Sequence, residues 1–591
     1  MDIEDNEFDD NGNLNEINND DTWKLINSYF AENNLVSHQI NSFNKFIDRD
    51  IQEIVNENNK IIIETNDLEK KEKKEKKEKK GKKPSKTNKN TIDDGFEITF
   101  GKIYINSSPK YTEKDGYEHF IFPNEARIRN LDYASPMEIE INWKKIKNGE
   151  TIEEGRSTEN IGKMPIMVRS NKCSLNTQMD KLGYDIQKEC EFDQGGYFII
   201  NGSERVIVSQ ERMANNIVHV SKKNEESGLT LLAEIRSNRG LWIPQKFSVK
   251  LIQKNKSLCD LNITVKIPYV KDEIPFEILF GALGIERDGD IINYIVLDEN
   301  DKKMKDLLIN SFDFKNQIRR RDDCLRHIVT KSSNNNNQEI QRARELLTKY
   351  LLPHISIEEG SESQKASFIG YMIYRLLNCF LGRANEDDRD HYARKRLDMS
   401  GALLSNLFRQ LFNKFKEKNK FIIMQNIDNK KDYLLDGIIK DEIITKGIKY
   451  ALSTGNWIKG KTGQSLRSGV TESLKRLTFM ATLSHLRTIN TPLDKKGKIS
   501  KPRQLHNTHW GMLCPCETPE GHGCGLVKNL SLMTSVSVGA DCEIIKDILK
   551  KNFSSNFIEL NKKNNSSNIK KYKAKIFIDL LLFIKKIFFF F

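Results

Sequence analysis

The residues best suited to chemistry crowd into one stretch, Lys501 to Leu532, KPRQLHNTHWGMLCPCETPEGHGCGLVKNLSL. His506, His509, Cys514, Cys516 and Cys524 offer the imidazoles and thiolates that zinc prefers. Their order, HxxH, then CxC, then a lone Cys, is none of the usual paired knuckles, so a zinc centre is not expected here. Cysteine serves equally well as a small buried hydrophobe. Pro515 and Pro519 remove backbone donors, and Gly511, Gly521, Gly523 and Gly525 permit positive φ. The stretch must therefore be a shaped loop held by its surroundings, and such loops commonly carry function.

Upstream, Gly455-Asn456-Trp457-Ile458-Lys459-Gly460-Lys461-Thr462 fits the phosphate-binding pattern G-x-x-x-x-G-K-[ST] letter for letter. That pattern needs a buried strand before it and a helix opening at the Lys. Here Ile444, Ile448 and Leu452 recur at helical spacing before it, while Gly463, Ser465, Ser468 and Gly469 discourage a helix after it. An NTP-hydrolysing P-loop is thus the disfavoured alternative. As a nucleic-acid contact the same loop is physically sensible: Lys459, Lys461 and Arg467 sit on a glycine-rich segment suited to phosphates. A second basic turn follows, Asp494-Lys495-Lys496-Gly497-Lys498, then Lys501 and Arg503. For each of these cations the plain alternative is solvation. The acids within Glu386–Asp390 could attract a metal, but Arg389, Arg394, Lys395 and Arg396 stand ready to neutralise them as a salt-bridged turn before a helix.

Around these loops the patterning is mixed. Trp23, Ile26, Tyr29 and Phe30, then Ile40, Phe43, Phe46, Ile47, Ile51, Ile54 and Val55, recur at helical spacing. Residues 95–220 read as strands and turns, with a hairpin signal in Tyr197–Ile200, Asn201-Gly202 and Val206–Val208. Strands are expected around Leu229–Ile235 and Phe247–Val270, and helices near Glu339–Tyr350 and Ser367–Leu381. Leu403, Leu404, Leu407, Phe408, Leu411 and Phe412 mark a further helix.

Several of these segments resemble the second-largest subunit of multisubunit DNA-directed RNA polymerase. The matching residues are Pro502 to Gly511 (PRQLHNTHWG), Cys514-Pro515, Glu517 to Gly521 (ETPEG) and Gly525 to Leu530 (GLVKNL). Cys516 stands where that family usually has Ala. FIINGSERVIVSQER, from Phe198, is similar to the polymerase II branch, and ALSTGNW with SLRSGV is similar to the first fork loop. The resemblance covers about residues 21–545. It implies a multidomain α+β fold with mixed helices and antiparallel sheets: a protrusion (21–220, interrupted by a charged insertion at 69–94), a lobe (221–385), the protrusion resumed (386–458), a fork (459–540) and the start of a next domain (541–551). It implies template-directed RNA synthesis from NTPs, with Lys459, Lys461, Arg467, Lys495, Lys496, Lys498 and Arg503 facing nucleic acid. Gln504, His506 and Glu517 would lie around the active centre, Glu517 orienting the basic groups that hold the incoming triphosphate. Magnesium would be held mainly by the largest subunit and the family's zinc site would lie beyond this chain, so no catalytic or metal-binding residue is assigned. Partners would be the largest and smaller subunits, template DNA and the RNA–DNA hybrid, in the nucleus. A truncated, non-catalytic fragment is the alternative.

Composition sets the limits. The chain has 591 residues, 30% charged and 37% hydrophobic, with net charge +12. Residues 543–591 alone hold eleven Lys against four acids, a surplus of +7, so the rest carries only about +5. Nucleic-acid contact must come from local patches rather than from a polycationic body. Nine scattered cysteines without a framework point to a reducing compartment. The acidic N-terminus, expected as a disordered tail over 1–20, cannot be a signal peptide. Ile576 to Phe591 is too short, and too broken by Asp579, Lys585 and Lys586, to span a membrane. The Lys/Asn/Phe-rich tail 552–591 departs from the family pattern and reads like a frameshifted end, with a hydrophobic partner helix as the rival.

Overall fold

A computed structural model describes residues 19–64, 95–459, 465–497 and 499–539, apart from 106–107, 114, 148–149, 177–187, 226–227, 241–243, 254–260, 299, 313–317, 331–338 and 429–441. The 69–94 insertion, residues 540–591 and all but the last two residues of the expected tail 1–20 lie outside the described residues. Asn19 and Asp20 open a helix, Asn19–Glu32.

The first core is built from two distant pieces of chain. Strands Lys60–Glu64, Gly95–Ile105, Ala134–Lys147 and Glu150–Pro165 form an antiparallel sheet in sequence order. Period-2 alternation buries Ile98 and Phe100 on one strand and Met137, Ile139 and Ile141 on its neighbour. Helical segments Ser37–Lys45 and Ile51–Glu57, joined by a π turn at Phe46–Asp50, and the long helix Ser400–Asp428 pack their apolar stripes against it. Phe100 meets Phe412 edge-on, ring centroids 5.4 Å apart, and Phe408, Phe412 and Phe415 stack along the helix. Each fully buried phenyl contributes on the order of 2 kcal/mol.

The second core belongs to residues 218–377. Strands His219–Glu225, Gly228–Ser237, Gln245–Gln253, Leu261–Lys266 and Ile274–Pro275 run as an antiparallel meander. One face of it presents Leu231, Ala233, Ile235, Phe247, Val249 and Leu251 to a group of helices that includes Phe276–Ala282 and Glu362–Phe380. The hairpin expected at Asn201-Gly202 is present: Ile200 pairs with Ser203, and both turn residues have positive φ, 49° and 71°. That is the primed turn geometry the right-handed twist of the strands requires. No helix among the described residues is long and apolar enough to cross a membrane.

A third, small sheet gathers segments far apart in sequence. Its order is Lys395–Asp398, Ser209–Met213, Thr488–Asn490, Val527–Asn529. The inner pair is parallel, with Ile489 beside Ser209, and the outer pairs are antiparallel. Residues 491–526 leave and re-enter at adjacent strands, so this sheet fixes both ends of the chemistry-bearing loop.

Candidate functional site

The loop is held from inside by one guanidinium. Arg503 donates from Nη1 to the carbonyls of His522 (2.8 Å) and Cys524 (2.9 Å), and from Nη2 to the carbonyl of Lys495 (2.7 Å). The planar fork of arginine suits such multiple donation, which a lysine cannot match. Gly525, at φ 70°, lets the backbone come close: a Cβ there would sit 2.1 Å from the Arg503 carbonyl oxygen. Thr518 completes the closure, its hydroxyl accepting from Gly525 N–H and donating to Val527 O, both at 2.9 Å. Beneath, Ile489, Leu513 and Leu530 form a small buried cluster with Tyr392 and Leu397 packed on it.

His506 ties the loop to the acidic turn at 386–390. Its Nε2 lies 2.7 Å from Asp388 Oδ2, and its Nδ1 2.6 Å from Thr508 Oγ1 and 3.2 Å from Thr508 N. Nδ1 therefore accepts and Nε2–H donates, while Thr508 Oγ1 accepts from Tyr392 N–H at 2.9 Å. The Asp390 N–H and the His506 ring hold the Asp388 carboxyl below the usual range. The acidic run is salt-bridged as expected, in part by the nearby Arg394, while Arg389 and Lys395 turn to other acids. Asp387 pairs with Arg375 and Arg394, whereas Arg389 reaches Glu234 and Lys395 reaches Glu211. A 3-10 turn and the strand Lys395–Asp398 follow, where a helix was expected.

Glu211, from the central strand, sits buried between Lys395 (3.0 Å) and Lys528 (2.9 Å). Burial pushes its carboxyl up, and the two ammonium groups outweigh that and hold it below its ordinary value. Arg487 spans further still, donating to the carbonyls of Leu35, Ser531 and Leu532. Sequence reasoning assigned nothing to Asp388, Glu211, Lys528 or Arg487 individually; only the first lies in a run unusual enough to have drawn attention.

The other expected residues divide by place. Lys495 and Lys496 are exposed on a turn closed by Asp494, which accepts from Lys496 N–H (3.0 Å) and Gly497 N–H (3.1 Å). Arg503 joins this turn to the ETPEG loop, so Lys495, Lys496 and Arg503 are brought together, although the Arg503 guanidinium is occupied by carbonyls. Gln504 is exposed. Glu517 is exposed and accepts a hydrogen bond from Ser484 at the end of helix Phe479–Leu486. Lys459 and Arg467 lie on a two-stranded ribbon, where Lys459 pairs with Ser465 and Trp457 with Arg467. Trp457 anchors it through Nε1–H to Thr471 Oγ1 at 3.0 Å. Lys461 and Lys498 lie outside the described residues.

The P-loop alternative is corrected by this geometry. Helix Glu442–Thr454 leads into Gly455, and strand Trp457–Lys459 opens the segment where a P-loop would leave a strand; Ser465–Arg467 returns as a second strand where a helix should begin. As for metals, no three His, Cys, Asp or Glu among the described residues converge on one point. His506 is engaged with Asp388, and Cys516 and Cys524 are exposed free thiols. These residues do not fit a magnesium or zinc centre.

Residues 34–446 match the family described as RNA polymerase beta subunit, and residues 472–536 match RNA polymerase Rpb2, domain 3. The chain belongs to the RNA polymerase beta-subunit family. Within it, the chain is 43% identical over 549 residues to DNA-directed RNA polymerase II subunit RPB2 of Meyerozyma guilliermondii, covering 90% of this chain and 43% of that protein. It is 40% identical over 584 residues to DNA-directed RNA polymerase II subunit 2 of Arabidopsis thaliana, covering 95% and 47%. It is 32% identical to DNA-directed RNA polymerase subunit Rpo2N of Methanothermobacter thermautotrophicus, covering 89% of this chain and 97% of that one. The chain thus spans less than half the length of the eukaryotic relatives it matches. The PRQLHNTHWG and ETPEG residues that carried the resemblance are the ones Arg503, Gly525 and Thr518 lock into a single loop.

Proposed function

We propose that this chain forms one side of the nucleic-acid cleft of a nuclear DNA-directed RNA polymerase II, contributing to template-directed RNA synthesis with a largest subunit and smaller ones. The observation that carries the reading is the loop 491–526: a basic turn at Lys495–Lys496 and the family's ETPEG segment, held as one body by Arg503 and pinned at both ends by the same sheet. Exposed lysines on such a turn position phosphates without reading bases. The protrusion, lobe and fork divisions are taken from the resemblance; among the described residues one core is assembled from residues 36–207 and 403–486, reaching into the fork segment, and a second from 218–377.

This chain's part in the reaction is to place nucleic acid and hold a cleft wall. By the family resemblance, the Mg²⁺ of the assembled enzyme (a two-metal nucleotidyl transfer in the family) would be held by carboxylates mainly on the largest subunit. Glu517, on Ser484, is the residue we assign to orienting basic groups near the incoming triphosphate.

The test is an assembled enzyme in which Lys459, Lys461 and Arg467 are all changed to Ala. Each lost phosphate contact lowers the salt slope of binding by about 0.9 on duplex DNA. Elongation-complex half-life should shorten, with a shallower salt dependence and unchanged base preference. Superimposable curves for parent and variant would remove the 459–467 segment from the interface.

A further inference from the structure

The acidic turn 386–390 is fastened on one side to the second core's sheet. The strand His219–Glu225 is the outermost of that meander, so its outward backbone groups need partners from elsewhere. The turn supplies them. Asp387 N–H donates to Val220 O at 2.9 Å, and the Asp387 carboxylate accepts from Val220 N–H at 2.7 Å. Glu386 accepts from Lys222 N–H at 2.9 Å, and Arg389 donates to Ser221 Oγ at 3.2 Å and to Glu234 at 2.7 Å. Arg375, from helix Glu362–Phe380, braces the same place, donating to Val218 O at 2.9 Å and to both oxygens of the Asp387 carboxylate. A turn held this way presents its neighbouring side chain from a fixed point.

That side chain is Asp388. Its Oδ1 accepts from Asp390 N–H at 2.9 Å within the turn, and its Oδ2 accepts from His506 Nε2–H at 2.7 Å. The carboxylate thereby selects the tautomer of His506. With the proton on Nε2, Nδ1 accepts from Thr508, and Thr508 Oγ1 in turn accepts from Tyr392 N–H. The opposite tautomer would set Nδ1–H against Thr508 N–H, donor facing donor. One carboxylate thus sets both where the ring sits and which nitrogen carries the proton, as carboxylates do for imidazoles at working sites.

We infer that Asp388 is a positioning residue for RNA synthesis, acting through His506 to hold the loop 491–526 in its working place from the edge of the second core's sheet. This inference deepens the polymerase reading and rests on it.

The experiment follows single-nucleotide incorporation by the assembled enzyme carrying this chain, with hydrogen exchange on the full chain beside it. Asp388→Ala should lower the rate at saturating NTP by about fivefold, the equivalent of one lost hydrogen bond. It should also speed exchange of the Thr508 amide while the amides of 219–225 keep their protection. Asp388→Asn retains an oxygen that accepts from His506 Nε2–H and should recover most of the rate. In a His506→Ala background, Asp388→Ala should add nothing further. Equal rates for parent and Asp388→Ala would overturn the inference and leave the polymerase reading standing. So would unaltered exchange at Thr508, losses that add in full across the two sites, or no recovery by Asp388→Asn. An assembled parent enzyme that binds template and makes no RNA would overturn the polymerase reading, and the inference with it.

Discussion

At the scale of single residues, the loop depends on donors satisfying backbone carbonyls. Arg503 closes the ETPEG segment onto the basic turn through three such bonds. Arg503→Lys keeps the charge and loses the fork. It is expected to cost about 1 kcal/mol and to expose 494–525 to limited proteolysis well before the rest of the chain. Equal cleavage of both proteins would show the loop to be held by other contacts. His38 tests a second joint. It is buried with Nε2 3.3 Å from Leu486 O, and burial first, then Arg487, lowers its pKa to about 4 from 6.5. Above pH 6.5 it is neutral in both folded and unfolded chains. Between there and about 4 only the unfolded chain takes the proton, so stability falls as pH falls, by up to roughly 3 kcal/mol. His38→Gln should flatten this decline between pH 7 and pH 5 in denaturant titrations, and an unaltered decline would place its cause elsewhere.

At the scale of elements, local signals were legible and long-range ones were not. The Asn201-Gly202 hairpin could be read because its turn chemistry lies within two residues. The helix of Leu403 to Phe412 could be read because its stripe repeats every turn. The small sheet could not: parallel pairing of Ile489 with Ser209 has no local signature, and Glu211 gives no hint in sequence that Lys395 and Lys528 will meet on it. The acidic turn was read correctly as salt-bridged by Arg394, yet Arg375 of the preceding helix Glu362–Phe380 also pairs with it, and His506, which bonds Asp388, comes from far along the chain. Arg503 drew notice as a cation, while its role as a carbonyl clamp depends on the path of 522–525. Gly525 is where backbone conformation and packing coincide. Gly525→Ala combines positive φ with a 2.1 Å approach to Arg503 O, and should destabilise the loop by on the order of 1–3 kcal/mol. A thermal melt and the protection of the Gly525 amide, bonded to Thr518, would both report it. An unshifted melt with full amide protection would show that the backbone adapts there without cost.

At the scale of the whole molecule, the chain belongs to the RNA polymerase beta-subunit family and spans less than half the length of the eukaryotic relatives it matches. The account holds that this chain builds a cleft wall and needs other subunits for chemistry. The most direct measurement is template-dependent NTP incorporation in Mg²⁺. It compares the isolated chain with the Meyerozyma guilliermondii enzyme in which residues 34–536 of this chain replace the matching segment of its RPB2 subunit. The account predicts no incorporation by the isolated chain and templated RNA from the assembled hybrid enzyme. RNA synthesis by the isolated chain, or an assembled hybrid that binds template yet incorporates nothing, would contradict it.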